Sequence, residues 1–169
     1  MQAHEPLRPT VRSAAVPRSR GFTLIELLTV VSILAVTVAA LSPSFSTFVA
    51  GQRVKGTAYD LTAALLLARS EALKRNGSVR ISRAGASWNN GWTVAVVSTD
   101  ATVTQQGPLN SALQFTDAPE AIVFNAFGRV STPVDPVKIN LGSSQASQSK
   151  RCIQLSLSGH ASSSVGECP

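Results

Sequence analysis

Glu26 is the single charged side chain in a run of twenty residues, 22–41, that is otherwise apolar or hydroxylated. An α-helix of that length spans about 30 Å at ~1.5 Å per residue, which matches the hydrocarbon thickness of a bilayer. A carboxylate one turn into such a helix costs on the order of several kcal/mol if it stays ionised and unpaired in lipid. It therefore marks a functional position and requires a partner. The sequence contains a candidate. A cut between Gly21 and Phe22 would create an α-amine one helical turn from Glu26. In a packed array of such helices, the amine of one subunit would neutralise Glu26 of its neighbour.

Two plainer readings compete. One is an ordinary secretory signal, with Arg8, Arg12, Arg18 and Arg20 as its charged end and a cut near Val38-Ala39-Ala40. Its apolar run would be longer than usual, and Glu26 interrupts it. The other is a simple single-pass anchor, which accounts for neither Glu26 nor the Gly21-Phe22 junction.

The rest of the chain offers little for catalysis. Histidine, the commonest general base, occurs at His4 and His160 alone. No nucleophile elbow, phosphate loop, Cys-x-x-Cys or His-pair spacing is present. Asp100, Asp117, Glu120 and Asp135 lie in loop-like sequence without a metal-binding pattern. Neither an enzyme nor a cofactor or metal is expected. The two cysteines, Cys152 and Cys168, sit near the C-terminus. In an oxidising compartment a disulfide between them would contribute ~3 kcal/mol by closing a short loop; two unrelated buried thiols are the competing reading. The net charge of +6 overstates the basic character. Without residues 1–21 the side chains carry 11 Lys+Arg against 8 Asp+Glu, a net +3, so total charge does not argue for nucleic acid.

These residues must be positioned by a small set of elements. Residues 1–21, basic and proline-rich, read as a disordered leader that is removed. Residues 22–43 read as a transmembrane assembly helix, and Pro43, lacking a backbone donor, is expected to kink or soften it. Residues 44–76 continue the helix amphipathically. Val54, Ala58, Leu61, Leu65, Ala68 and Ala72 recur at spacings of 3 and 4, hence on one face, with Arg53, Lys55, Asp60, Arg69, Lys74 and Arg75 opposite. Asn76-Gly77 reads as the helix stop. Residues 77–169 read as a β-rich globular domain closed by the C-terminal cysteine loop. Its expected strands are Val79 to Ser82 paired in a hairpin with Trp92 to Val97, then Leu113 to Phe115, Ile122 to Phe124, Val137 to Leu141 and Ile153 to Leu157. Ser98 to Asn110 is polar and reads as a loop; Gly142 to Ser149 reads as flexible. The fold class is α+β, with one small antiparallel sheet packed on the amphipathic half of a long helix.

The stretch Arg20-Gly21-Phe22-Thr23-Leu24-Ile25-Glu26-Leu27-Leu28, followed by an apolar helix and Pro43, resembles the class III signal of type IV prepilins and type II secretion pseudopilins. The resemblance implies cleavage after Gly21 by a prepilin peptidase, N-methylation of Phe22, and a role for Glu26 in entering a helical filament. A second resemblance is to GspH/FimT-type minor pilins. It rests on Arg53-Val54, Asp60-Leu61, Ala68-Arg69-Ser70-Glu71-Ala72, Lys74-Arg75-Asn76, Trp88, Gly91-Trp92, Ile122-Val123-Phe124-Asn125, Gly128-Arg129 and Gly159.

It implies a pilin fold and a minor pilin that starts or caps a type IV pilus; a minor pseudopilin of a type II secretion system is the alternative. The implied partners are other pilins through the N-terminal helix, the prepilin peptidase and an inner-membrane assembly platform. The implied location is the bacterial inner membrane, with the C-terminal domain in the periplasm, and then the filament. Some FimT-like proteins bind DNA through a C-terminal Gly-Arg-x-Arg element. Here the late match is Gly159-His160-Ala161-Ser162, which lacks both arginines. Arg129, Lys150 and Arg151 remain as candidate phosphate contacts, with Arg80 and Arg83 nearby in the basic inventory, and solvated surface charge is the preferred reading. Trp88 and Trp92 are expected in the core, and Gly128-Arg129 in a turn.

Overall fold

The structure, a computed structural model, describes residues 21–169, the side chains at 40–44 excepted. The expected leader lies outside the described residues apart from Gly21, and so does the Pro43 side chain. The chain divides into two compact units between Ala40 and Leu41.

A single helix, α1 (Leu24–Arg75), contributes to both units, and its range includes position 43. Thr23 begins it. The Thr23 hydroxyl accepts from the Glu26 backbone N–H at 3.2 Å, and the Leu27 N–H reaches the Thr23 carbonyl at 3.2 Å. Thr-x-x-Glu is a helix-start signature, and Glu26 in the first turn also suits the positive end of the helix dipole. At the other end Gly77 N–H bonds to the Ala72 carbonyl at 3.1 Å and Asn76 N–H to Leu73 at 3.3 Å. Asn76 has φ +47°, so asparagine takes the left-handed position of a Schellman stop. The stop expected at Asn76-Gly77 is where the sequence puts it.

Among the described residues no helix is long and apolar enough to cross a membrane. The part of the apolar run within α1 whose side chains are described is 24–39, shorter than the ~20 residues a span requires. The expected span over 22–43 includes 40–44, whose side chains lie outside the described residues.

The second half of α1 buries one stripe. Val54, Ala58, Leu61, Leu65, Ala68 and Ala72 are each at most 1% exposed, as their spacing predicts. They join one hydrophobic core with residues from every layer of the β domain. Among the described residues nine strands form two antiparallel sheets rather than the one expected. The first has the order β3 (Thr102–Gln106), β2 (Trp92–Val96), β1 (Val79–Arg83), β5 (Ala121–Phe124) and β6 (Val130–Thr132). The second has the order β4 (Leu113–Thr116), β7 (Val137–Ser143), β8 (Arg151–Leu155) and β9 (Ala161–Val165). The β1–β2 hairpin is present, with Ile81 opposite Val94. Strand alternation sets the inward faces: Val79 and Ile81 in β1, and Val137, Ile139 and Leu141 in β7, all point into the core.

Two further expectations are corrected. The polar segment 98–110 contains β3, an edge strand pairing with β2 on one side only. An edge strand that is only partly covered has little need of apolar alternation, which is why its composition reads as loop. The 142–149 segment is pinned as well. Gly142 and Ser143 extend β7, Ala146 is 2% exposed, and Ser144 N–H bonds to the Ala112 carbonyl at 2.9 Å. Strands β6 and β9 are short and polar for the same reason as β3: both are edges.

Candidate assembly site

Between Phe22 and Val38 every large apolar side chain is 54–78% exposed. These residues surround the helix rather than forming a stripe, so no single face is reserved for the chain's own core. The polar groups within the run are mostly satisfied internally. Thr29 donates to the Glu26 carbonyl at 2.9 Å, Ser32 to Leu28 at 2.8 Å and Thr37 to Leu34 at 2.8 Å. Hydroxyls bonded back to their own helix need no water, so this surface can be covered by other helices or lipid without leaving them unpaired. Glu26 differs. Its backbone N–H is capped by Thr23, but its carboxylate is exposed and makes no ion pair among the described residues. Gly21 and Phe22 precede the helix and are exposed. A Cβ built at Gly21 would meet no described atom within 4 Å. Sequence reasoning saw Glu26 as a buried charge awaiting an amine but missed Thr23 as the cap; the Thr23-x-x-Glu26 spacing was the available signal.

The GspH/FimT-like residues of the globular domain fall together although they are far apart in sequence. Arg69 Nη1 donates to the Gly159 carbonyl at 3.1 Å. Gly159 has φ +81°, and a Cβ there would lie 2.2 Å from the Gly128 carbonyl. Gly128, φ +67°, rests against Leu73 and Arg69 in the same way. The two glycines let the β5–β6 turn and the β8–β9 turn approach each other over α1. Asn125 shapes the first of these turns, its Oδ1 accepting from Phe127 N–H at 3.0 Å and Arg129 N–H at 3.1 Å. Glu71 lies on the same helix, with Arg75 Nε at 2.7 Å and Lys74 Nζ at 3.4 Å. The Arg75 hydrogen bond foremost, and Lys74 after it, hold the Glu71 carboxyl below its ordinary range against the opposing effect of burial.

Trp88 and Trp92 are both 2% exposed with ring centroids 6.4 Å apart, and Trp88 Nε1 donates to the Pro119 carbonyl at 2.8 Å. They belong to the core. The Cys152–Cys168 disulfide is formed and ties the C-terminus to β8, and Cys168 N–H bonds to Asn140 Oδ1 of β7 at 2.7 Å.

The candidate phosphate contacts do not converge. Arg129 stands in the β5–β6 turn beside Gly159, while Arg151 pairs with Val165 at the opposite end of the β8–β9 hairpin. Lys150 is paired with Glu167, Arg80 with Asp100 and Arg83 with Glu120. Among the described residues no group of His, Cys, Asp and Glu is placed to hold a metal ion.

The profile of the prokaryotic N-terminal methylation motif matches residues 16–42, which include Gly21, Phe22 and Glu26. A methylation motif heading a long helix whose second half is seated on antiparallel sheets defines the type IV pilin-like class. The profile described as "Type II transport protein GspH" matches residues 57–159, well over half of the chain. The chain belongs to this GspH family. Two crystal structures of the type IV minor pilin FimU from Pseudomonas aeruginosa share its fold. Their TM-scores are 0.57 and 0.56, each at 20% identity; they cover 66% and 65% of this chain and 87% and 91% of the FimU chains. At that identity the likeness is one of fold. No curated protein matches the chain in sequence.

Proposed function

We propose that this protein is a minor pilin that takes part in starting or capping a type IV pilus. The reading is carried by the methylation motif over 16–42 together with the wholly exposed apolar half of α1. A prepilin peptidase cleaves after Gly21 and methylates the new amine of Phe22. The segment 22–43 then holds the subunit in the inner membrane, with the globular domain in the periplasm, until it enters the filament. Glu26 pairs there with the Phe22 amine of a neighbouring subunit, which offsets the cost of a carboxylate among apolar helices. Residues 44–76 continue the helix into the 77–169 domain, whose surface meets other pilins, and position 43 is where the helix yields during repacking. The role is structural and not enzymatic.

The description of the GspH family favours a second reading within the same class, a minor pseudopilin of a type II secretion system. A deletion strain separates the two. The first reading expects few or no sheared surface pili, restored by the intact gene. Normal pili with impaired exoprotein release would transfer the protein to the secretion machine. DNA uptake has less support, because Arg129, Lys150 and Arg151 are not gathered on one surface.

A further inference from the structure

Beside the second half of α1 lies a groove of about 350 Å³. Gly51, Gln52 and Lys55 form its helical wall, and Ser149, Lys150 and Arg151 the opposite wall. Gly51 makes the close approach workable, since a Cβ there would lie 2.7 Å from Ser149 Oγ. Two features distinguish this groove from an ordinary charged face. First, Lys55 Nζ and the Arg151 guanidinium both lie over one ring, that of Tyr59, at 6.0 and 5.5 Å from its centre. Among the described residues neither cation has a carboxylate partner, whereas Lys150 has Glu167. Two cations facing one half-exposed ring concentrate positive charge there, which an anion would offset. Second, the groove's lining also includes two apolar side chains open to solvent, Phe48 (60% exposed) and Val165 (80% exposed).

We infer that this groove binds the phosphate headgroup of an anionic phospholipid. The chemistry is that of an amphiphile: a phosphate between Lys55 and Arg151, donors from Gln52 and Ser149 for a polar headgroup, and Phe48 and Val165 against the first carbons of the lipid. Position in the chain points to the membrane rather than to nucleic acid. The groove's helical residues begin six positions after the apolar run ends at Leu41, with exposed Phe45 in between and exposed Phe48 in the groove itself. Nucleic acid would require a cationic track, and Arg129 lies away from the groove. The inference rests on the membrane-anchored reading above, and it adds a lipid preference that the anchor alone does not supply.

The test uses the full chain. Flotation with vesicles of phosphatidylcholine alone reads the anchor. Titration of the chain in neutral-detergent micelles with short-chain phosphatidylglycerol or phosphatidylcholine, followed by the Tyr59 ring signals, reads the groove. The expected result is saturable binding of phosphatidylglycerol and none of phosphatidylcholine. Lys55→Gln with Arg151→Gln should weaken binding about thirtyfold, at roughly fivefold per cation near a headgroup. Arg53→Gln, which removes one positive charge from a neighbouring exposed position outside the groove, should leave it unchanged. Equal response to the two lipids, or equal loss in the Arg53 variant, overturns the groove while flotation preserves the anchor. Failure to float removes both. Binding of duplex DNA at ~50 mM salt without a phosphatidylglycerol response would assign the cations to nucleic acid and overturn the lipid.

Discussion

The two halves of α1 are both rich in apolar residues, yet they are used in opposite ways. From Val54 to Ala72 one apolar stripe is covered by the chain's own sheets to 0–1% exposure, while Tyr59, Leu66 and Leu67 lie off it and stay exposed. From Phe22 to Val38 the apolar residues occupy every side, and among the described residues nothing buries any of them. Periodicity is the difference. A stripe states that the fold itself supplies the partner; an all-round apolar surface states that the partner lies elsewhere, in lipid or in other helices. Glu26 belongs to the second half and Glu71 to the first, and they follow the same division. Glu71 has Arg75 and Lys74 within its own helix, while Glu26 has no ionic partner among the described residues.

The comparison is sharpened by damaging the covered half first. Leu61→Ala removes a fully buried side chain at the centre of the stripe and should destabilise the domain by about 2–5 kcal/mol. Denaturant unfolding of the full chain in micelles, followed by Trp88 and Trp92, measures it; a change below ~1 kcal/mol would mean that the stripe is not what holds the sheets. Cys168→Ser should cost about 3 kcal/mol by the loop-entropy argument, read by the same unfolding curves with and without reductant. Reductant should shift the wild type and leave the variant where it is.

The smallest effect is electrostatic. Because Glu71 titrates below its ordinary value of 4.5 in the folded chain, it contributes stability above that value and loses it as pH falls through the depressed one. Wild type should therefore exceed Glu71→Gln slightly at pH 7, and the gap should close as the solution is acidified below about pH 4.5. A gap that widened in acid would contradict the assigned direction.

The parts legible in sequence were those with a local cause. The 3.6-residue spacing of Val54 to Ala72 gave the buried stripe, and Asn76-Gly77 gave its end, because both depend on neighbours within a turn or two. The β1–β2 hairpin was readable from β-rich runs separated by turn residues. Strands β3, β6 and β9 were not, since edge strands need no apolar alternation and Thr, Ser and Gln serve as well there. The second sheet was hidden for a different reason. Which strands adjoin is decided by packing across the whole domain, and β4 pairs with β7 over two intervening strands. The meeting of Arg69, Gly128 and Gly159 is likewise long-range, although each residue stood out singly. Thr23 as the cap of α1 was present in the sequence and needed only the Thr-x-x-Glu spacing to be seen.

The central claim, that the exposed half of α1 serves assembly and the covered half serves the fold, is tested most directly with Glu26→Ala. The measurement is the amount of this chain in sheared filaments relative to membranes, with the mass of its N-terminus and its melting curve taken from the same preparation. The expected chain begins at methylated Phe22, melts as wild type does and is lost from the filaments. Normal incorporation of the Glu26→Ala chain would contradict it.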